Sequence, residues 1–278
     1  MRKSVAILVF AMLAVLGAFA PAASAADAGP KVVIIVGATH GATSSYRSKA
    51  DSAYAEAIKY TSNVVKVYSP NATWSKVRAA VKGASIVIYF GHGNGWPSPY
   101  TYDPKFTTKD GFGLNATAGH GDSNNKYYGE PYVSTLDFAP NAIVLLNHLC
   151  YASGNSEPGD KAPSQTTARK RVDNFAAGFL KAGAQAVIAE GHSGPEAIIR
   201  AIFTTHASIE AAWQSVPNFH GHVKAFASTR TPGATAYTDT DGVSSGYYRS
   251  LVARPGLTTD EVTGRRYRSA SSSSALRP

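Results

Sequence analysis

The reactive side chains of this 278-residue sequence centre on one cysteine and on one histidine set among glycines. Cys150 lies in Asn147-His148-Leu149-Cys150-Tyr151, and His92 lies in Gly91-His92-Gly93-Asn94-Gly95. A free thiol of pKa about 8.5 is only a few per cent thiolate at neutral pH, so a nucleophilic cysteine needs a base or an imidazolium beside it. His92 is the candidate for that role. Gly93 removes side-chain bulk next to the histidine, which lets its N–H approach a substrate carbonyl oxygen. Together with the N–H of Cys150 it would form an oxyanion hole, completing the parts needed for acyl transfer. Taken alone, a lone cysteine is more often an inert core thiol, and a glycine-rich segment is a permissive turn. Only the pairing of the two segments at matching strand ends turns the reading towards catalysis.

Those strand ends follow from the apolar pattern. Short β-branched runs at 31–37, 64–68, 85–90, 142–146 and 186–189 read as strands, most of them buried on both faces. Between them, helical spacing appears over about 45–60, at Trp74, Val77 and Val81, and at Val172, Phe175, Ala176, Phe179 and Leu180 ahead of Gly183. Ser193-Gly194-Pro195-Glu196 has a capping-box pattern ahead of a further helix running on through Ile209 and Trp213. The fold class expected is α/β: a doubly wound, mostly parallel sheet with helices on both faces. In such a sheet ligands meet the carboxyl ends of the strands, where His92 and Cys150 fall. Residues 91–141 show weak periodicity and read as functional loops.

Three divisions are expected. Residues 1–25 resemble a secretory leader, with Arg2 and Lys3, an apolar run at 5–19 and Ala23-Ser24-Ala25. Residues 26–228 form the α/β domain. From 229 to 278 the pattern fades into a C-terminal extension with a serine-rich tail. Loss of the leader, with Arg2 and Lys3, lowers the formal net charge from +9 to +7 and leaves no apolar stretch long enough for a membrane span, so a secreted, moderately basic protein is expected. One cysteine excludes an intramolecular disulfide framework.

The ordered motifs resemble those of the caspase, legumain and gingipain clan of cysteine peptidases. An apolar strand is followed by His92-Gly93, and a later one by Cys150 with Ser153-Gly154 close behind. Tyr46-Arg47-Ser48-Lys49-Ala50-Asp51 is similar to a legumain-type segment, and 179–189 to a run found in gingipain-like and CHAT domains. The resemblance spans roughly residues 31–215 and implies a caspase-like sandwich, a His92/Cys150 dyad and Arg47 as a residue lining the pocket for the substrate side chain. It departs from the clan at Asn147-His148-Leu149, where relatives commonly place an acidic or small residue just before the cysteine. The chemistry of that pocket stays open. Arg47 suits an acidic side chain, the legumain-like context an amide, and Glu157, Asp160 or Glu190 a basic one.

The expected function is that of a secreted cysteine endopeptidase acting on a peptide or protein, with no cofactor and no specific nucleic-acid partner. The alternative is a catalytically inactive caspase-like binding module of the cell envelope or extracellular space. A metal-dependent hydrolase is the third reading, but no histidine sits in a recognised zinc spacing, and His220-Gly221-His222 lacks a third ligand nearby.

Overall fold

The computed structural model describes residues 29–265. The expected leader and the serine-rich tail lie outside them. The chain begins β1 (Val32–Val36), α1 (Thr43–Ala57), β2 (Val64–Tyr68), α2 (Trp74–Val81) and β3 (Ala84–Phe90). It continues β4 (Phe112–Asn115), β5 (Asn125–Tyr128), α3 (Glu130–Val133), β6 (Phe138–Asn147), α4 (Gln165–Lys181) and β7 (Ala186–Glu190). The remainder is α5 (Glu196–Thr204), α6 (Ile209–Gln214), β8 (Val223–Ala227), β9 (Thr235–Asp239), β10 (Arg249–Ala253) and α7 (Thr259–Thr263).

Eight strands form one sheet in the order β2-β1-β3-β6-β7-β10-β9-β8. The first five of these are parallel and the last three antiparallel. This is the doubly wound α/β architecture expected. Alternate residues of the parallel strands face opposite layers: Val33, Ile35, Val87 and Val144 pack with α2 and α4, while Val32, Ile34, Ile86 and Ile143 pack with α1, α5, α6 and α7. Burial on both faces explains why these strands are uninterrupted apolar runs.

The sequence reading needs correction in three places. The boundary drawn at 228/229 falls inside the sheet, because β9 and β10 belong to it and β10 lies between β7 and β9. These strands are hard to read because they mix polar and apolar residues: Thr-Ala-Tyr-Thr-Asp and Arg-Ser-Leu-Val-Ala. The single helix expected from Ser193 is two. No side chain caps α5, whose N-cap is Pro195, whereas Ser208 caps α6 by accepting the Ala211 N–H. Residues 91–141 are also more structured than their composition suggests. Here β4 and β5 form a hairpin pinned to β3 by the buried Tyr89 hydroxyl, which receives the Gly113 N–H at 2.8 Å.

Candidate active site

Phe90 of β3 pairs with Asn147 of β6, so the segments carrying His92 and Cys150 leave the sheet side by side at its carboxyl edge. Their backbones touch. A Cβ at Gly93 would collide with the Cys150 carbonyl oxygen and stand 2.8 Å from the Cys150 nitrogen, so only glycine fits at this approach.

The turn bearing the cysteine is bracketed by two left-handed residues, His148 at φ 58° and Tyr151 at φ 70°. Bulky side chains hold such angles only where the surroundings over-determine them. The His148 N–H donates to the Glu190 carbonyl at 2.8 Å, and the His148 carbonyl accepts the Tyr46 hydroxyl at 3.1 Å. The Tyr151 ring is buried with the Arg171 guanidinium 4.7 Å from its centre.

Arg171, on α4, ties the two reactive loops together. It donates to the Pro97 carbonyl at 2.6 Å on the His92 side, and to the Asn155 carbonyl at 2.6 Å and Ser156 Oγ at 3.1 Å on the Cys150 side. The His92 loop is further braced from below. Lys109 Nζ donates to Asn94 Oδ1 at 2.8 Å, and the Tyr127 hydroxyl accepts the Asn94 and Gly111 N–H groups at 3.1 Å each. None of these supports is singled out by the sequence, since a basic residue in a loop or on a helix ordinarily reads as solvent-facing.

The resting charge state follows from burial. Desolvation, then Glu157 and Asp160, push the Cys150 thiol up to about 11. Desolvation and then His40, whose ring lies 5.7 Å from that of His92, depress the His92 pKa, with Glu157 opposing them. Among the described residues the two side chains are not hydrogen-bonded to each other. The thiol and the imidazole are therefore both neutral at rest. Such an imidazole is able to accept a proton as the sulfur attacks, without a preformed ion pair.

Beside Cys150 opens a cleft of about 300 Å³ lined by Tyr46, His148, Asn155, Ser156, His192 and Tyr248, among others. Arg47 is not among its walls. Its guanidinium donates to Asp122 Oδ1 at 2.6 Å and to the Ser69 carbonyl at 2.9 Å, and it is Tyr46, one residue earlier, that reaches the cleft. Arg47, expected to line the pocket, is thus not a wall of this cleft, because adjacent residues of α1 point about 100° apart. Arg47→Ala should change kcat/KM for a cleaved peptide by less than about threefold. The half-exposed ion pair is worth at most about 1 kcal/mol of stability. A tenfold fall in kcat/KM would return Arg47 to the substrate. Among the described residues no group of three or more His, Cys, Asp and Glu could hold a metal ion.

Comparison with protein-family models and with curated proteins finds no match. Among solved structures, the chain is similar to a secreted C11 cysteine protease from Bacteroides thetaiotaomicron, whose X-ray structure holds an irreversible peptide inhibitor. The identity is 10% and the TM-score 0.39, over 76% of this chain and 66% of that one. The chain therefore spans just under two thirds of the length of the protein it matches.

Proposed function

We propose that this protein is an exported cysteine peptidase of caspase-like type, in which Cys150 attacks a peptide carbonyl and His92 is general base and then general acid. The observation that carries the reading is the contact between the Gly93 and Cys150 backbones at the carboxyl ends of β3 and β6. It supports the His92 and Cys150 loops acting together on one substrate carbonyl. His92 takes the thiol proton during attack and returns it to the leaving amine. The carboxyl-edge location is where an open parallel sheet offers its ligands a crevice. Export rests on the leader-like residues 1–25. The test is a peptide-library digest comparing the mature chain with Cys150→Ala. Cleavage confined to the parent supports the reading, and identical profiles reject it.

The second reading, a non-catalytic binding module, is favoured by one observation: a thiol held near 11 is a poor nucleophile unless substrate binding brings the base into play. The pH dependence separates the two. A depressed His92 pKa keeps the imidazole neutral, and therefore basic, to lower pH. The acid limb of kcat/KM is accordingly expected below 6.5, the ordinary histidine value. His40→Gln removes a group that lowers the His92 pKa and should move the limb up; Glu157→Gln removes one that raises it and should move the limb down. A limb that ignores both changes belongs to another group.

A further inference from the structure

We propose that the Lys109 and Asn94 side chains join in an intramolecular isopeptide bond, formed by attack of Lys109 Nζ on the Asn94 carboxamide with loss of ammonia, and that the Asp110 carboxyl moves the protons. Such a bond closes a covalent ring on the loop that follows His92, whether or not Cys150 is a nucleophile.

Lys109 is 1% exposed, yet among the described residues the lysines held in ion pairs are Lys59 and Lys66. Instead, Lys109 Nζ donates to Asn94 Oδ1 at 2.8 Å and to Ser98 Oγ at 3.2 Å, and the Tyr100 and Trp96 rings lie 5.3 and 6.0 Å from it. An ammonium buried in this way loses its water and gains no counter-charge, a cost that conversion to an amide removes. Burial lowers the Lys109 pKa, with Asp110, Asp103 and Glu157 opposing it, which favours the free amine that attack requires.

Asp110 supplies the acid. It is fully buried, its Oδ1 accepts the Trp96 N–H at 3.2 Å, and its Oδ2 has no hydrogen-bond partner. Burial raises this carboxyl well above its ordinary value, against the pull of the Trp96 N–H, and so favours the protonated form. The Asp110 N–H donates to the Asn94 backbone carbonyl at 2.9 Å, which fastens the acid to the residue it serves. Asn94 is itself partly exposed, and its Nδ2 donates to the Thr108 carbonyl at 2.6 Å, so the leaving nitrogen is on the solvent side. In the step, the Nζ lone pair bonds to Asn94 Cγ and the Cγ–Nδ2 bond breaks. Asp110 gives its proton to Nδ2 and takes one from Nζ, and Nδ2 departs as ammonia. No oxidant, reductant or co-reactant is needed.

The test is mass spectrometry of the folded mature chain carrying Cys150→Ala, intact and after trypsin. The intact mass should fall short of the sequence by about 17 Da, one ammonia. The digest should hold a branched peptide joining 83–105 to 106–126, uncut after Lys109 because its amine is blocked. The full sequence mass overturns the proposal. So does a loss of ammonia without the branch, the mark of a succinimide at Asn94-Gly95. Asp110→Asn, an isosteric change, should leave at least about tenfold less branched peptide; an undiminished branch overturns the role given to Asp110. Lys109→Arg keeps the charge but cannot form the bond, and a mass deficit that persists in it places the loss elsewhere and overturns the proposal. Should either variant fail to fold, the branch is still read in the parent chain, whose digest decides. Neither measurement involves peptide hydrolysis, so a branched peptide in a protein that cleaves no library peptide rejects the peptidase reading alone.

Discussion

The mature chain carrying Cys150→Ala or His92→Ala is expected to lose peptide cleavage by at least about 10³-fold, and the double variant to lose no more than the worse single one. Residues that act as one chemical unit are not additive, because removing either leaves the other without a task. Neither loss should come from unfolding. Both side chains are only partly buried, and neither truncation opens a cavity like that of a core leucine, so unfolding free energies should stay within about 2 kcal/mol of the parent. Kinetics on the best library peptide, with urea unfolding of each variant, supplies both readouts. Full activity in either variant would remove the dyad.

Arg249→Met is expected to cost about 3–5 kcal/mol of folding stability, the largest effect of any single change considered, because it strips the counter-ion from two buried carboxylates at once. The guanidinium is 2% exposed and lies 3.1 Å from Glu190 Oε1 and 2.6 Å from Asp239 Oδ2, which are 3% and 0% exposed. An Nη2 N–H donates to the Trp213 carbonyl at 2.8 Å. The three charged residues sit on β10, β7 and β9, so the network stitches the antiparallel end of the sheet to its parallel body. Restoring neutrality by adding Glu190→Gln and Asp239→Asn to the Arg249→Met variant should recover part of the loss, since uncompensated buried charge is the main penalty. Urea unfolding measures both. A cost below about 1 kcal/mol would mean that water reaches the carboxylates.

Legibility tracks the length scale of the interaction. Strands such as Val-Val-Ile-Ile-Val announce themselves because burial on both faces permits nothing polar, and Gly93 is readable because close backbone approach excludes a side chain. Hidden from the sequence are residues whose meaning depends on distant partners. Arg249 looks like a surface arginine until Glu190 and Asp239 meet it across 59 and 10 residues of chain. Arg171 looks like one face of a solvated helix until Pro97, 74 positions away, offers it a carbonyl. Arg47 is a local case: the motif locates the turn of α1 beside the cleft, but the guanidinium turns to Asp122, 75 residues on, while Tyr46 takes the wall. A pattern of residue types can place a helix turn near a cleft; which side chain of that turn faces inward is decided by partners elsewhere.

The position of β10 bears on how the molecule is built during synthesis. An inner strand of the sheet comes from nearly the last described part of the chain, and the two edge-ward strands β9 and β8 join the body only through it. A nascent chain ending before residue 249 therefore carries five parallel strands whose β7 flank, Ala186-Val187-Ile188-Ala189-Glu190, has its N–H and C=O groups open along one side. Such an apolar open edge recruits whatever strand comes first, including one from a neighbouring nascent chain. Completion waits for β10 to arrive between β7 and β9. The segment from Arg249 onward thus closes the last open flank of the sheet, and a stop codon just before it should yield aggregates rather than a shorter soluble protein.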